Sequence, residues 1–387
     1  MSRLDELINE LCPNGVEYRK VGDIANISRG KVMSKEYLKE NAGEYPVYSS
    51  QTENDGKLGA ITTYMFDGEY LTWTTDGANA GTVFYRSGKF SVTNVCGVID
   101  NTSKDVDTKY LYYILNREAP HYVNSGMGNP KLMSNVMARI NLPVPPLEVQ
   151  REIVHILDSF TLLTAELTAE LTARKKQYEF YRNKLLTFES DIPLLLLGEV
   201  CDLQAGKAIK AAEIYDVETN QATIPCYGAN GLRGYVEKSN QEGDKSIIGR
   251  QGAQCGNVCY ATGKYYATEH AVVVTDKGHF NSRYLFHALT HANLNQYKTA
   301  GAQPGLSVAK LNDVIIAVPD RKIQDKIANV LDNFEAICTD LNIGLPAEIE
   351  ARQKQYEYYR DLLLTFAETG STLMTDRQTD RQTDRQS

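Results

Sequence analysis

Two sets of polar side chains, one in each half of the sequence, lie in short loops framed by glycines. Arginine and lysine pair with guanine through two hydrogen bonds, and asparagine and glutamine pair with adenine, so these residue types can read DNA base edges. The candidates in the first half are Ser49, Ser50, Gln51, Asn54, Lys57, Thr74, Thr75, Asn79, Asn129 and Lys131. Those in the second half are Asn230, Arg233, Arg250, Gln251, Gln254, Asn257 and Gln303. We expect Lys31 and Lys207, each of which follows a glycine, to contact phosphate rather than bases.

Recurrence between the halves favours DNA recognition over the alternative, in which each polar residue only caps its own turn. Gly81 returns as Gly256 in the second half, whereas the polar residues before it change. Shared residues would position a nucleic acid and differing residues would select its sequence. The two sets are therefore expected to bind different DNA sequences. His270 aligns with Val95 and is interpreted as a packing residue.

Catalytic and metal-binding patterns are missing from the sequence. It contains neither a phosphate-binding Walker loop nor a dinucleotide-binding glycine motif. Cys255 and Cys259 form a C-x3-C pair without a second pair of ligands nearby, whereas structural zinc takes four. Asp320 precedes Arg321 and Lys322 but lacks the second acidic residue that two-metal cleavage of DNA requires. We therefore predict no catalytic residue, no metal site and no cofactor in this chain.

The elements that must position these loops are mostly short strands. Between Val21 and Asp100, runs of β-branched and aromatic residues alternate with glycines, which is typical of strands joined by tight turns. Leu4–Leu11 and Lys109–Asn116 are predicted helices, and the prolines of Asn141–Pro146 predict an extended segment. The same cycle restarts after Pro193. The expected fold class is α+β, with two mixed α/β domains.

A block near the middle of the chain returns near its end. Ala173–Phe188 reads ARKKQYEFYRNKLLTF and Ala351–Phe366 reads ARQKQYEYYRDLLLTF. The offset is 351 − 173 = 178 residues, close to half of the 387 residues. Gln150–Phe160 is likewise repeated as Gln324–Phe334. Self-similarity of this kind indicates one unit made twice, with a pseudo-two-fold internal repeat.

Both repeated blocks belong to predicted long helices, the first of which starts near Leu147. Apolar residues recur at alternating intervals of four and three, which is typical of a helix packed along another helix. The predicted seam is Leu157, Phe160, Leu167, Leu171, Tyr178, Tyr181 and Leu185 in the first segment and Leu331, Phe334, Leu341, Tyr356, Tyr359 and Leu363 in the second. Gly344 and Pro346 are expected to interrupt the second segment, because proline cannot complete helical hydrogen bonding.

Composition limits the class of protein. The chain is 42% hydrophobic and has no apolar run near the ~20 residues of a membrane span. We find no signal peptide and expect a cytoplasmic protein. Seven scattered cysteines do not indicate a disulfide framework. The formal net charge of −8 means that DNA contacts must come from local loops or with a partner's help.

These patterns predict five segments: a first recognition domain at 1–146 with a short N-terminal helix, a central helical spacer at 147–192, a second recognition domain at 193–320, a C-terminal helical spacer at 321–366 and a tail at 367–387. The tail contains TDRQ three times and is expected to be disordered. Repeats of the tetranucleotide ACAG would encode it. Since such repeats slip during replication, we hypothesise phase variation; the alternative is a low-complexity tail without a role.

From Leu4 to Phe366 the sequence resembles the specificity subunit of a type I restriction–modification system. The resemblance rests on the opening LDELINELCPNGVEYRKVGDI, on the Pro-Pro-Leu-x-x-Gln start of the first helix at Pro145–Gln150, and on the LDSF and LDNF segments. It also rests on the tandem TAEL of Thr164–Leu171 and on the block ARKKQYEFYRNKLLTF.

The resemblance implies that two target-recognition domains each bind half of a bipartite DNA site and are joined by two long antiparallel coiled-coil helices. It implies a noncatalytic subunit on which two methyltransferase subunits with S-adenosylmethionine dock. Restriction subunits, which use ATP and Mg²⁺, would complete the enzyme. Three alternatives remain at this point: a subunit that serves methylation only, a DNA-cleaving enzyme in its own right, and a scaffold that binds protein through both domains.

Overall fold

A computed structural model describes residues 2–126, 128–188, 192–252, 254–299 and 304–369. The chain forms two compact units. The first unit contains Met1–Ala165 and the part of the chain from Glu350 onward, and the second contains Glu166–Ile349. The predicted helical spacers are therefore not units of their own, because each is divided between the two units. The TDRQ repeats lie outside the described residues, so their predicted disorder and phase variation stay predictions.

The first unit is built on a six-stranded sheet and a separate two-stranded ribbon. Its strands are β1 (Glu17–Lys20), β2 (Ala25–Arg29), β3 (Ala42–Tyr48), β4 (Lys57–Ile61), β5 (Phe66–Thr74), β6 (Val83–Val92), β7 (Cys96–Asn101) and β8 (Asn141–Val144). The sheet has the order β2-β7-β5-β6-β3-β4, in which β3 and β6 run parallel and the other pairs run antiparallel. The ribbon pairs β1 with β8 antiparallel and so brings the two ends of the predicted first domain together.

The helices of the first unit confirm both short helices predicted there. They are α1 (Arg3–Leu11), α2 (Val21–Ile24), α3 (Lys35–Glu40), α4 (Thr108–Glu118), α5 (Ser134–Met137) and the start of α6 (Leu147–Leu186). Helix α1 begins with a capping box, in which Ser2 and Asp5 each accept a hydrogen bond from the other's backbone N–H. Helix α4 begins where the Asp107 carboxylate accepts hydrogen bonds from the N–H groups of Lys109 and Tyr110.

The core of the first unit lies between α4, the sheet and the helical segments. Trp73 is fully buried, and its Nε1 donates to the carbonyl of Leu132 at 3.0 Å. A side chain at Gly97 would overlap the Trp73 ring, because an added Cβ would lie 2.2 Å from it. Leu157 of α6 and Leu363 near the C-terminus are buried in the same core.

The second unit repeats this plan with its sheet split in two. Its strands are β9 (Leu194–Leu196), β10 (Cys201–Ala205), β11 (Ile224–Gly228), β12 (Gly231–Val236), β13 (Gln241–Glu242), β14 (Lys245–Gly249), β15 (Val258–Ala261), β16 (Lys264–Ala267), β17 (Ala271–Asp276) and β18 (Ile315–Ala317). The orders are β10-β17-β14-β15, β12-β11-β16-β13 and β18-β9. Strands β11 and β16 run parallel as β3 and β6 do, and β9 pairs with β18 as β1 does with β8.

The second unit has helices α7 (Leu197–Val200), α8 (Ser282–His291), α9 (Val308–Asn312), α10 (Arg321–Thr339) and the start of α11 (Leu345–Thr369).

A buried glutamine explains the repeated start of the spacer helices. Gln150 accepts from the N–H of Asp107 at 2.8 Å and donates to the carbonyl of Pro145 at 2.7 Å. Gln324 makes the same bonds with Asn281, at 2.7 Å, and with Pro319, at 2.8 Å. Each glutamine thus ties a spacer helix to the N-cap of the domain helix before it.

The helical segments differ as the sequence predicts. Helix α6 is one continuous helix of 40 residues, whereas α10 and α11 are separated by a turn. Gly344 closes that turn, because an added Cβ there would lie 2.6 Å from the carbonyl oxygens of Ala336 and Asp340. No helix within the described ranges is both long and apolar enough to cross a membrane.

Most predicted seam residues lie against a neighbouring helix or domain core. In the first unit the rings of Phe160 and Tyr359 stack with centroids 5.4 Å apart, and in the second unit Tyr181 and Phe334 do the same at 5.4 Å. Fully buried or half-buried members are Leu157, Phe160, Leu167, Leu171, Tyr178, Leu185, Leu331, Phe334, Tyr356, Tyr359 and Leu363. The prediction for Leu341 is wrong: α10 ends at Thr339, so Leu341 lies in the turn and is 71% exposed. A continuous antiparallel coiled coil stays a prediction.

Candidate nucleic-acid interface

In the first unit, several predicted residues meet where three loops join. These loops connect β3 to β4, β5 to β6 and β6 to β7. Thr93 Oγ1 donates to Ser49 Oγ at 2.9 Å, and the N–H of Asp76 donates to Ser50 Oγ at 3.2 Å. The side-chain amide of Asn79 donates to Thr52 Oγ1 at 2.9 Å. The strand ends therefore bring together polar residues that are far apart in sequence.

A fourth loop, whose described residues are 124–126 and 128–131, completes this surface. Asn124 and Lys131 exchange backbone hydrogen bonds of 2.9 and 3.1 Å. Lys131 Nζ lies 3.5 Å from a carboxylate oxygen of Asp76, which links the fourth loop to the β5–β6 loop. Between these loops lies an open cleft of about 520 Å³, which Asn129 also lines. Asn129 and Lys131 are exposed, so their side chains can contact a ligand in the cleft.

Some of the predicted residues stabilise the loops instead. Thr74 and Thr75 are buried, and their hydroxyls donate to the backbone carbonyls of Asn79 and Val95. We withdraw both threonines from the set that reads bases, because neither hydroxyl can reach a ligand. The side chain of Gln51 donates to the carbonyl of Lys57 at 2.7 Å and so closes its own loop.

The loop after β3 also depends on a residue that sequence reasoning missed. Asn54 and Asp55 both adopt left-handed backbone conformations, with φ of 50° and 54°. The guanidinium of Arg86 is buried beneath them, pairs with the Asp55 carboxylate and donates to its carbonyl at 2.8 Å. It also lies 3.7 Å from the centre of the Tyr48 ring. Arg86 thereby fixes the loop that presents Asn54 and Lys57, both of which are exposed.

Lys31 and Lys207 occupy equivalent places in the two units. The backbone of Lys31 forms an isolated parallel bridge with Thr93, and that of Lys207 forms one with Thr268. The glycine before each lysine is required, because an added Cβ at Gly30 or at position 206 would lie 1.9 or 2.2 Å from a backbone carbonyl oxygen. Both lysine side chains are exposed beside the polar loops, where phosphate contact stays a prediction.

In the second unit the same loop framework carries different side chains. The N–H of Gly77 donates to the carbonyl of Pro130 at 3.0 Å, and that of Gly252 donates to Pro304 at 3.0 Å. The backbone of Gln251 bridges to Gly305 as that of Asp76 bridges to Lys131. The remaining candidates lie on this surface: Asn230, Arg233, Gln254 and Asn257 are exposed and Arg250 is half-buried, whereas Gln303 lies outside the described residues.

Among the described residues, one group of possible metal ligands lies away from these loops, where α8 packs on α10. His287, Asp332 and Glu335 bring ligand atoms within 4.8 Å of one another. The guanidinium of Arg283 pairs with Asp332 at 2.7 Å and also with Glu335. This guanidinium already supplies the positive charge that a metal ion would bring, so we interpret the group as a structural ion-pair network.

The sequence comparisons agree on one family. Residues 13–174 and 194–351 match the model of a family described as the type I restriction modification DNA specificity domain. A protein named as a type I specificity subunit of Mycoplasma pneumoniae is 36% identical over 357 residues, which cover 90% of this chain and 97% of that protein. The specificity subunit of the type I restriction enzyme EcoprrI from Escherichia coli is 47% identical over 206 residues, 51% of each chain.

Two solved structures are similar in fold. The crystal structure of a type I restriction–modification S subunit from M. genitalium has a TM-score of 0.61 at 17% identity and covers 92% of this chain and 96% of that one. A chain from a study of complex assembly and conformational transition in a type I system has a TM-score of 0.56 at 15% identity, covering 92% and 98%. These likenesses show a shared fold of mixed helices and sheets.

Proposed function

This chain belongs to the family of type I restriction–modification specificity subunits, and from that premise we propose how it recognises DNA. It is the noncatalytic subunit that reads the DNA sequence, with one half of a bipartite site bound by each recognition domain. The observation that carries this proposal is the loop framework, which recurs in both units while its exposed side chains differ. A shared backbone that presents different polar groups suits two different half-sites on one duplex.

We propose that two methyltransferase subunits and restriction subunits assemble on this chain in the cytoplasm. S-adenosylmethionine, ATP and Mg²⁺ would bind to those partners. The net charge of −8 supports this division of labour, because affinity for DNA depends largely on cations at the phosphates. Basic partner subunits would supply much of that charge.

An exposed apolar stripe on α10 supports docking of a partner subunit. Ile323, Val330 and Ile337 recur every seven residues and are 40%, 41% and 42% exposed. The equivalent of Ile323 in the first unit, Val149, is fully buried. A solvated stripe of this spacing fits the apolar face of another helix. We assign it to contact with a methyltransferase subunit.

Deletion of the gene tests the function. We expect one bipartite methylated-adenine motif to disappear from the genome of the host and to return when the gene is restored on a plasmid. An unchanged set of methylated motifs would refute the proposal. Plating unmodified phage on the same strains separates a restricting system from one that only methylates, since only the former lowers the plating efficiency.

A further inference from the structure

Three buried polar atoms without hydrogen-bond partners belong to side chains at one junction in the second unit. They are Arg250 Nε, Glu269 Oε2 and His270 Nδ1. Buried polar atoms in folded proteins nearly always have partners, and exceptions call for an explanation such as a functional role. The three side chains are only half-buried as a whole, so other atoms of each side chain face solvent.

Loops at the ends of three strands bring these residues together. The N–H of Arg250, after β14, donates to the carbonyl of His270 at 2.9 Å, and His270 Nε2 lies 3.2 Å from Glu269 Oε1. Arg250 follows Gly249, at which an added Cβ would lie 1.7 Å from the carbonyl oxygen of Ala229 in the turn after β11. The backbone next to Arg250 is therefore closely packed, which limits the movement of the cluster.

The charged groups around the cluster include a second arginine. Burial raises the pKa of the Cys226 thiol to about 11, while Arg233 lowers this pKa and Glu269 raises it. Both charged groups therefore act on one buried thiol of β11. Arg233 is exposed, and its side chain and that of Thr268, which precedes Glu269, both lie within 4 Å of the Cβ position at Gly228.

The equivalent place in the first unit holds no such groups. Thr75 corresponds to Arg250 and Val95 to His270, because the N–H of Thr75 donates to the carbonyl of Val95 as that of Arg250 does to His270. The Thr75 hydroxyl is satisfied by the same carbonyl, at 2.8 Å, and Val95 has no polar side chain. The two units thus share the backbone here and differ in the chemistry that they present.

This comparison also corrects the interpretation of His270 as a packing residue. Its side chain is half-buried, contacts Glu269 and carries a buried nitrogen without a partner. Glu269 is not among the residues predicted from the sequence to bind DNA, because it lies between framework residues. It occupies the place that the exposed Asn94 holds in the first unit. The alignment of the two halves marks this turn, but only the fold places it beside Arg250.

We propose that Arg250 and Glu269 read the major-groove edge of a G·C base pair in the half-site of the second domain, with His270 as a positioning residue for Glu269. The arginine would donate to guanine O6 and N7, and the carboxylate would accept from the cytosine amino group. The Glu269 carboxylate in the same cluster disfavours a phosphate as the ligand, since the two anions repel each other. This inference rests on the proposed function and specifies the chemistry of one of its half-sites.

The test uses the subunit assembled with its methyltransferase subunits and a library of DNA duplexes with randomised half-sites. In the complex with Glu269→Gln, we expect preference for the G·C pair at one position to fall roughly 5- to 150-fold, with A·T gaining, since glutamine pairs with adenine. Arg250→Gln should relax the same position. Glu237→Gln, which removes an exposed carboxylate elsewhere in the same unit, should leave the motif unchanged.

His270→Ala should weaken discrimination at that position and at no other, which separates positioning of Glu269 from a general loss of stability. An unchanged other half-site in each variant shows that the complex is assembled. The inference is overturned if the wild-type half-site of the second domain contains no G·C pair, or if Glu269→Gln and Arg250→Gln both keep the wild-type preference. A wild-type complex that methylates without any bipartite motif would instead overturn the proposed function.

Discussion

At the scale of single residues, two side chains, a buried glutamine and a half-buried aspartate, attach each recognition domain to its spacer helix. One is the glutamine that bonds the N-cap of the domain helix. The other is an aspartate: Asp158 accepts from Tyr113 at 2.6 Å in the first unit, and Asp332 contacts His287 at 2.7 Å in the second. Both aspartates belong to the repeated LDSF and LDNF segments. These segments recur because each attaches a spacer helix to its recognition domain.

Replacement of the buried Gln150 should weaken the attachment of the first recognition domain to α6. Gln150→Ala leaves the N–H of Asp107 and the carbonyls of Pro145 and Asp105 without their partners in a buried place. We expect the free energy of unfolding to fall by about 2–3 kcal/mol, as urea denaturation would measure. The control Gln353→Ala removes an exposed glutamine from α11 and should change it by less than ~0.5 kcal/mol. Equal effects of the two variants would contradict the assigned role.

The histidine at the second attachment predicts a pH dependence. Burial lowers the pKa of His287 from its ordinary 6.5, although Asp332 and Glu335 of α10 oppose this; Arg283 of α8 adds to it, and Tyr178 of α6 contacts the ring. Below pH ~6.5 the unfolded chain takes up a proton that the folded chain resists, so stability falls as the pH falls. Burial disfavours the Asp332 carboxylate, but Arg283 and His287 outweigh this and lower its pKa, so it stays charged in this range.

We expect His287→Tyr to remove that dependence between pH 7.5 and 5.5. Tyrosine stands at the equivalent place in the first unit, where Tyr113 donates to Asp158. Urea midpoints of the whole chain at the two pH values give the measurement. Tyr113→Phe serves as control, because it removes a hydrogen bond without removing a group that titrates in this range. A wild-type midpoint that does not fall towards pH 5.5 would rule out the histidine as the source.

At the scale of elements, α10 serves on two faces. Its inner face buries Gln324, Ile327 and Leu331, while its outer face exposes Ile323, Val330 and Ile337. In the first unit α1 lies beside the equivalent stretch of α6, as the ion pair between Arg3 and Glu152 at 3.4 Å shows. Because the outer face of α10 is exposed, it is available for contact with a partner subunit.

Val330→Asp should weaken assembly with the methyltransferase subunit by at least about tenfold, because an unpaired carboxylate would be desolvated in the contact. Size-exclusion chromatography or calorimetry of the purified proteins would measure it. Asn329→Asp, exposed on α10 about 100° around the helix from Val330, is the charge control. The chain itself should keep its unfolding midpoint. If Val330→Asp assembles as tightly as the wild type, the partner docks elsewhere.

At the scale of the whole molecule, α6 and α11 are each divided between the two units, and the TAEL pair lies where α6 passes from one unit to the other. Thr164–Leu171 exposes most of its residues, so few contacts oppose a change of length there. A third TAEL inserted after Leu171 would add about 6 Å of helix, under two base-pair steps, and turn the following part by about 40°. We expect a longer unspecified spacer in the methylated motif.

Methylome sequencing of the insertion strain measures this change, and the two half-sites themselves should be unchanged. A control insertion of four residues in the turn between α10 and α11 would show whether any added length has the same effect. A motif whose half-sites changed, or whose unspecified spacer kept its length, would contradict the prediction that the length of α6 sets the length of that spacer.

The sequence by itself determined the duplication, the approximate positions of the helices and most of the seam, because these depend on local periodicity and on short-range hydrogen bonding. The burial of Leu157 and Leu363 follows from the spacing of apolar residues alone, and the interruption of the second segment follows from Gly344 and Pro346. Only the tertiary structure decided which polar residues remain free. The Thr75 hydroxyl donates to the carbonyl of Val95, twenty residues away, whereas Arg250 at the equivalent place bonds His270 through its backbone and keeps a side-chain nitrogen without a partner. Partners in such loops come from distant strand ends, and no local pattern in the sequence encodes that encounter.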